Sequence, residues 1–215
     1  MKKLTLLTII LTILLASCNS QTKIEKLGQE GTQLFEQGDA FGALSKFEEI
    51  IKIDDQIAEA HLRKADCLDY LADYRSSIES YSKAIQLEPK NKIAIYNRAL
   101  TYEKIGEFEN VEDDYKLAID TDPSNSSDPD NKLIYHNLGI LYGQLNNLDN
   151  AIEAFSNAIE IDQTYADAYH NRGYAYQLQG KHEQAIENFD AAINLKPNDL
   201  DYQDSKKRSQ QMMEK

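Results

Sequence analysis

The stretch that decides the fold is Ala166–Asp199, ADAYHNRGYAYQLQGKHEQAIENFDAAINLKPND. Two helical segments meet at Gly180 and stop at Pro197. Small residues at Gly173, Ala185 and Ala192 alternate with Tyr169, Tyr176 and Phe189. Working outward, the same 34-residue pattern recurs with starts at Ile24, Ala58, Lys92 and Lys132. Stacked in that register, the eighth residue is Gly31, Ala65, Ala99, Gly139 and Gly173, always small. The twentieth is Ala43, Ser77, Val111, Ala151 and Ala185, and the twenty-fourth is aromatic every time: Phe47, Tyr81, Tyr115, Phe155, Phe189. Ile50, Ala84, Ala118, Ala158 and Ala192 follow at twenty-seven, with isoleucine beside each. Composition alone does not produce agreement of this kind.

Each column has a physical reason. Small residues let the two helices of a repeat, and the first helix of the next, approach closely, and the aromatic and isoleucine fill the space that remains. Gly38, Gly106, Asn146 and Gly180 between the helices accept the left-handed conformation of a helix C-cap; Ala72 is the exception. Pro89, Pro123 and Pro197 end second helices, and Asp55 and Gln163 stand where the other two repeats have no proline. The chain has 13 Tyr and no Trp; Tyr102, Tyr142 and Tyr176 share one repeat position and read as core packing.

The period and offsets resemble the tetratricopeptide repeat (TPR) family. The resemblance implies an all-α fold, a right-handed α-α superhelical solenoid of five TPR helix pairs plus a C-terminal capping helix. The repeats span 24–57, 58–91, 92–125, 132–165 and 166–199, with a six-residue insertion at 126–131, and 200–215 forms the polar cap.

The N-terminus carries a location signal. Met1-Lys2-Lys3 precedes an uncharged apolar run from Leu4 to Leu15, too short for a membrane span of about 20 residues. It closes with Leu15-Ala16-Ser17-Cys18, which resembles the lipobox of bacterial lipoproteins. That resemblance implies a signal peptide at 1–17, acylation (palmitate among the chains) of Cys18, and a tether at 18–23 that reaches only about 20 Å even if fully extended. The expected location is the bacterial cell envelope, as a lipid-anchored membrane protein. Asn19 is not the Asp that retains some lipoproteins at the inner membrane, so the outer membrane is expected where the source has one.

The net charge of −13 becomes more negative once Lys2 and Lys3 are removed. Phosphates repel such a chain, so no nucleic-acid partner is expected. Cys67 has no cysteine to pair with in the mature chain and reads as a small packing residue.

In the family, the first helices line a groove. Position six reads Gln29, Arg63, Asn97, Asn137, Asn171, and the three asparagines resemble the ladders with which some TPR grooves hold a peptide main chain. Leu100, Ile140 and Tyr174 stand beside them at position nine. The expected partner is therefore a protein or peptide. Position two has no base (Glu25, Glu59, Ile93, Leu133, Asp167), which argues against a clamp for a C-terminal carboxylate. His136 and His170 share position five and could face each other, but further metal ligands are lacking. Asp122, Asp128 and Asp130 lack the spacing and glycine of a calcium loop. No phosphate loop, nucleophile elbow or His-Glu-x-x-His segment occurs, so neither catalytic residues nor cofactors are expected.

The function expected from these readings is a non-enzymatic interaction scaffold or assembly adaptor. Two alternatives remain open: a structural component of an envelope complex with its groove unused, and a glycan-binding lipoprotein. Glu112 occupies a column held elsewhere by Leu44, Ile78, Ile152 and Ile186, and the insertion follows it. Together they mark the junction after repeat three as the expected weak link and a possible hinge.

Overall fold

The computed structural model describes residues 20–121, 128 and 130–214. Residues 1–17, read from sequence as a signal peptide, Cys18 and the loop residues Asp122, Pro123, Ser126 and Ser127 lie outside the described residues. Among those described, every regular element is an α-helix. The chain divides into two compact units, one ending at Glu107 and one beginning at Phe108.

The first unit holds α1 (20–36), α2 (Ala40–Ile53), α3 (Ala58–Tyr70), α4 (Tyr74–Leu87) and α5 (Lys92–Lys104). The second holds α6 (Phe108–Asp120), α7 (Asn131–Gln144), α8 (Leu148–Ile161), α9 (Ala166–Leu178), α10 (His182–Leu195) and α11 (Leu200–Met213). Residues 20–23, read from sequence as tether, are already helical and extend α1, which shortens the reach before the first repeat.

The small-residue columns are buried as close approach requires. Ala43, Ser77, Val111, Ala151 and Ala185 are all inaccessible to solvent, as are the alanines at position twenty-seven. A Cβ on Gly139 would lie 2.6 Å from the Phe155 ring, and one on Gly173 would lie 2.9 Å from Phe189. These glycines are there because the aromatic ring lies flat on the helix backbone. Ser77, the one hydroxyl in its column, donates to the Ala65 carbonyl at 2.9 Å, so its burial leaves no polar group unpaired. The isoleucine column is less buried than its spacing implies: Ile159 is buried, while Ile51, Ile85, Ile119 and Ile193 are half-buried.

All five turns between paired helices repeat the hydrogen bonding of a Schellman cap. In repeat two, Asp73 N–H donates to the Leu68 carbonyl and Ala72 N–H to Asp69. All five turn residues have positive φ: Gly38 at 85°, Ala72 at 62°, Gly106 at 76°, Asn146 at 55° and Gly180 at 73°. Ala72 therefore holds the left-handed conformation despite its Cβ, at a cost of roughly 1 kcal/mol. Nothing crowds the glycines at the equivalent places, so backbone conformation alone selects glycine there. Replacing Ala72 with glycine should raise stability by about 0.5 kcal/mol, the relief of strain being partly offset by the freer unfolded chain. Urea unfolding of the two proteins measures it, and a lower midpoint for Ala72→Gly would refute the strain argument.

One expectation is corrected. Glu112 does not sit in an apolar interior: its column is half-buried in every repeat. Its carboxylate pairs with Lys116 at 2.6 Å and accepts from Tyr142 Oη at 3.0 Å. These bonds hold its pKa below the usual carboxylate value. The division between units falls between Glu107 and Phe108, one helix before the insertion. The Glu112–Tyr142 bond ties α6 to α7 within the second unit.

Candidate partner-binding surfaces

In the second unit, α7 and α9 enclose a cleft of about 370 Å³. Its floor is Gly139, Gly143, Phe155 and Ala175, and its walls carry Ile140, Leu148, Tyr174 and Leu178. Two glycines one helical turn apart on α7 leave that floor low. Gly143 has open space where a Cβ would stand. Tyr174 and Leu178 are 47% and 52% exposed, which leaves apolar surface available to a partner. Three of the residues singled out from sequence, Ile140, Asn171 and Tyr174, meet here. In the first unit, Asn97 and Leu100 line a smaller pocket of about 310 Å³ with Asp66, Asp69, Tyr70 and Lys104. Asn137 is half-buried on α7 and lines neither.

Asn97 and Asn171 also bond to the preceding repeat. Asn97 Nδ2 donates to Asp66 Oδ1 at 3.1 Å, and Asp66 accepts from Tyr81 Oη at 2.7 Å. Burial raises the Asp66 pKa, and the Tyr81 and Asn97 donors oppose that rise. Thr101 Oγ1 donates to Asp69 at 2.9 Å, and Lys104 pairs with the same carboxylate. In the second unit Asn171 Nδ2 lies 2.9 Å from His136 Nε2. The corresponding ring nitrogen of His170 lies 3.0 Å from Ser205 Oγ on α11. Asn97 and Asn171 at position six thus bond to the repeat before them, and α11 takes part with a serine in place of asparagine.

The histidines consequently do not face each other across a groove. His136 packs against Tyr165 and Phe155, with ring centroids 4.9 and 5.7 Å away, and His170 stacks on Tyr202 at 4.6 Å. Burial pushes both pKa values below the ordinary imidazole value, against the opposing pull of nearby amide acceptors and carboxylates. An unfolded chain with ordinary imidazoles therefore binds protons at a higher pH than the folded one, so stability falls as pH drops through the ordinary histidine value. Asp162, held at about 2 by Lys132 and Thr164, and Asp167, also held low, lose their contribution only at more acidic pH. Melting temperature should decline between pH 7.5 and 5.5, and the double variant His136→Gln, His170→Gln should flatten that slope. An unchanged slope would count against the imidazoles as its source.

Sequence reading missed the arginines at position seven. Arg98 reaches Ser82 Oγ at 2.9 Å, and Arg172 reaches Ser156 Oγ at 2.9 Å and Asn188 Oδ1 at 2.8 Å. Both bridges span sixteen residues and join a repeat to the second helix of its predecessor. The signal was the pairing of Arg at seven with Ser at twenty-five of the preceding copy. Cys67 lies fully buried in the first unit's core, its thiol pushed up to about 12 by burial, so it is a packing residue without nucleophilic character at neutral pH. Among the described residues no group of three potential ligands could hold a metal ion, and no helix is long and apolar enough to cross a membrane.

Models of the tetratricopeptide repeat match residues 58–91, 94–125 and 166–199, and a TPR repeat model matches 141–180. The chain belongs to the tetratricopeptide repeat family. Of curated relatives, the peptidyl-prolyl cis-trans isomerase PASTICCINO1 of Arabidopsis thaliana is 25% identical over 119 residues, 48% of this chain and 19% of that protein. The small glutamine-rich tetratricopeptide repeat-containing protein 2 of Mycosarcoma maydis is 36% identical over 72 residues, 33% and 20% of the two chains. The match thus spans about a fifth of the length of these relatives. Among solved structures, MamA has a TM-score of 0.71 at 26% identity, covering 78% of this chain and 94% of that one. YrrB, described as a TPR protein with an unusual peptide-binding site, has a TM-score of 0.70 at 20% identity, covering 84% and 90%. A tetratricopeptide repeat protein from Parabacteroides merdae scores 0.75 at 19% identity, covering 89% and 74%; at such identities the likeness is one of fold.

Proposed function

We propose that this tetratricopeptide protein is a non-enzymatic scaffold of the bacterial cell envelope. It is held by lipid on Cys18 and binds extended protein segments on the first helices of its repeats. The observation that carries the binding reading is the cleft between α7 and α9. Apolar Tyr174 and Leu178 stand open to solvent beside half-buried Ile140 around a glycine floor, with the Asn171 amide at the edge. An amide retains donor and acceptor capacity beyond its bond to His136, which suits a peptide main chain. The shape takes apolar side chains, and the polar edge fixes the direction of the chain that carries them.

The test is photo-crosslinking from position 174 in intact cells, compared with a Leu178→Ala, Tyr174→Ala double variant. Both side chains are about half exposed, so truncating them should leave the melting temperature nearly unchanged while partner capture falls about tenfold or more. These substitutions suit the question better than removal of Asn97 and Asn171, which would also loosen the bonds between repeats. Undiminished capture by the double variant would move binding to another surface and favour the structural-component reading.

A further inference from the structure

Position five is occupied by a sizeable side chain in four repeats: Leu62, Tyr96, His136 and His170. In repeats four and five that side chain packs onto the aromatic at position twenty-four, Phe155 for His136 and Phe189 for His170. Repeat one has Gly28 instead. The space that a position-five side chain would fill is open, and it forms part of a cleft of about 500 Å³ between α1 and α3. Phe47, Ile50, Ile57 and Ala60 line this socket beside Gly28. A Cβ on Gly28 would meet only Ile50 Cδ1, at 3.9 Å, so neither crowding nor a left-handed backbone requires glycine here.

The rim has a sign. Glu25, Glu36 and Glu59 border the socket, and its one cation, Arg63, is already held by Glu59 at 2.7 Å and Asp66 at 3.4 Å. Among the described residues, no cation lies within ion-pair distance of Glu25 or Glu36, and both are exposed. An apolar socket edged by uncommitted carboxylates is complementary to a bulky apolar side chain flanked by lysine or arginine.

We infer that the α1–α3 cleft is a second docking site, specific for a basic–apolar peptide segment of a partner protein, whose bulky side chain takes the place left empty at Gly28. The inference rests on the scaffold reading but not on the α7–α9 cleft. Glu25 and Glu36 meet the flanking cations, and the Gln29 and Gln33 amides are available to the segment's main chain. Because the charged contacts are exposed, they set the choice of partner and the salt dependence, while the socket supplies the anchor.

The experiment uses the mature chain and three fluorescein-labelled peptides, GKKLFKKG, GEELFEEG and GKKGGKKG, read by fluorescence anisotropy. The first should bind, with affinity falling at least tenfold between 50 and 500 mM salt, and the other two should bind at least tenfold more weakly. Gly28→Leu, which fills the socket in a position compatible with helix, should abolish binding without lowering the melting temperature. The double reversal Glu25→Lys, Glu36→Lys should weaken binding at least tenfold, and Tyr174→Ala should leave it unchanged. Equal binding of the acidic peptide, or undiminished binding by Gly28→Leu, overturns the inference. Loss of binding in Tyr174→Ala with retention in Gly28→Leu would assign the peptide to the α7–α9 cleft, overturning this site while supporting the first reading.

Discussion

Phe189→Ala is expected to destabilise the second unit by about 3–5 kcal/mol. Phe189 has no solvent exposure, and its ring lies against the backbone of Gly173 where any Cβ would collide. Truncation removes the ring without giving Gly173 a side chain to fill the gap, and a helix pair with a hole at its centre cannot close over it cheaply. The loss is a large share of the 5–15 kcal/mol by which ordinary domains are stable, so repeat five and α11 should become protease-sensitive. Phe41→Ala is the control: that side chain is 73% exposed, and its removal should change stability by no more than about 0.5 kcal/mol. Urea unfolding and limited proteolysis compare the two. Equal effects would mean that the aromatic column does not hold the helix pair together.

Cys18→Ser is expected to abolish acylation and release the protein from membranes. The expectation rests on the Leu-Ala-Ser-Cys motif at the end of the apolar run and on the physics of anchoring. One acyl chain gives only reversible attachment, whereas several on one residue hold stably. The described helices contain no alternative span, and a strongly acidic chain gains nothing from anionic headgroups. Mass spectrometry of the mature N-terminus should show the acyl mass in the wild type and its absence in the variant, with the variant moving to the soluble fraction. A membrane-bound variant would require a different anchor.

The repeat architecture was legible because its columns are dictated by contact distance. Gly173 opposite Phe189 and Gly139 opposite Phe155 are steric necessities, and a necessity repeated every 34 residues is visible in a single sequence. The bonding of the asparagine column was not. Asn97 and Asn171 are the same residue at the same position, yet one bonds to a carboxylate and the other to an imidazole, since the partner is chosen by the preceding repeat. Glu112 was misread for a related reason. Hydropathy of a column shows which face is buried but not how deeply, and a half-buried position tolerates a carboxylate that has Lys116 and Tyr142 beside it. Ala72 shows the limit from the other side. Spacing located the turn, but the side chain gave no sign that a left-handed backbone would be imposed on it.

The pairing of His170 with Ser205 bears on how long such an array can become. Tyr202 and Ser205 stand on α11 at the places that Ala168 and Asn171 hold on α9, so α11 meets its predecessor as a first helix of the repeat does. A duplicate of residues 166–199 spliced in before Leu200 would bring its own asparagine to His170 and offer its own histidine to Ser205. Every joint would then be made from parts already present. Growth or shrinkage by whole units is thus chemically silent at these seams.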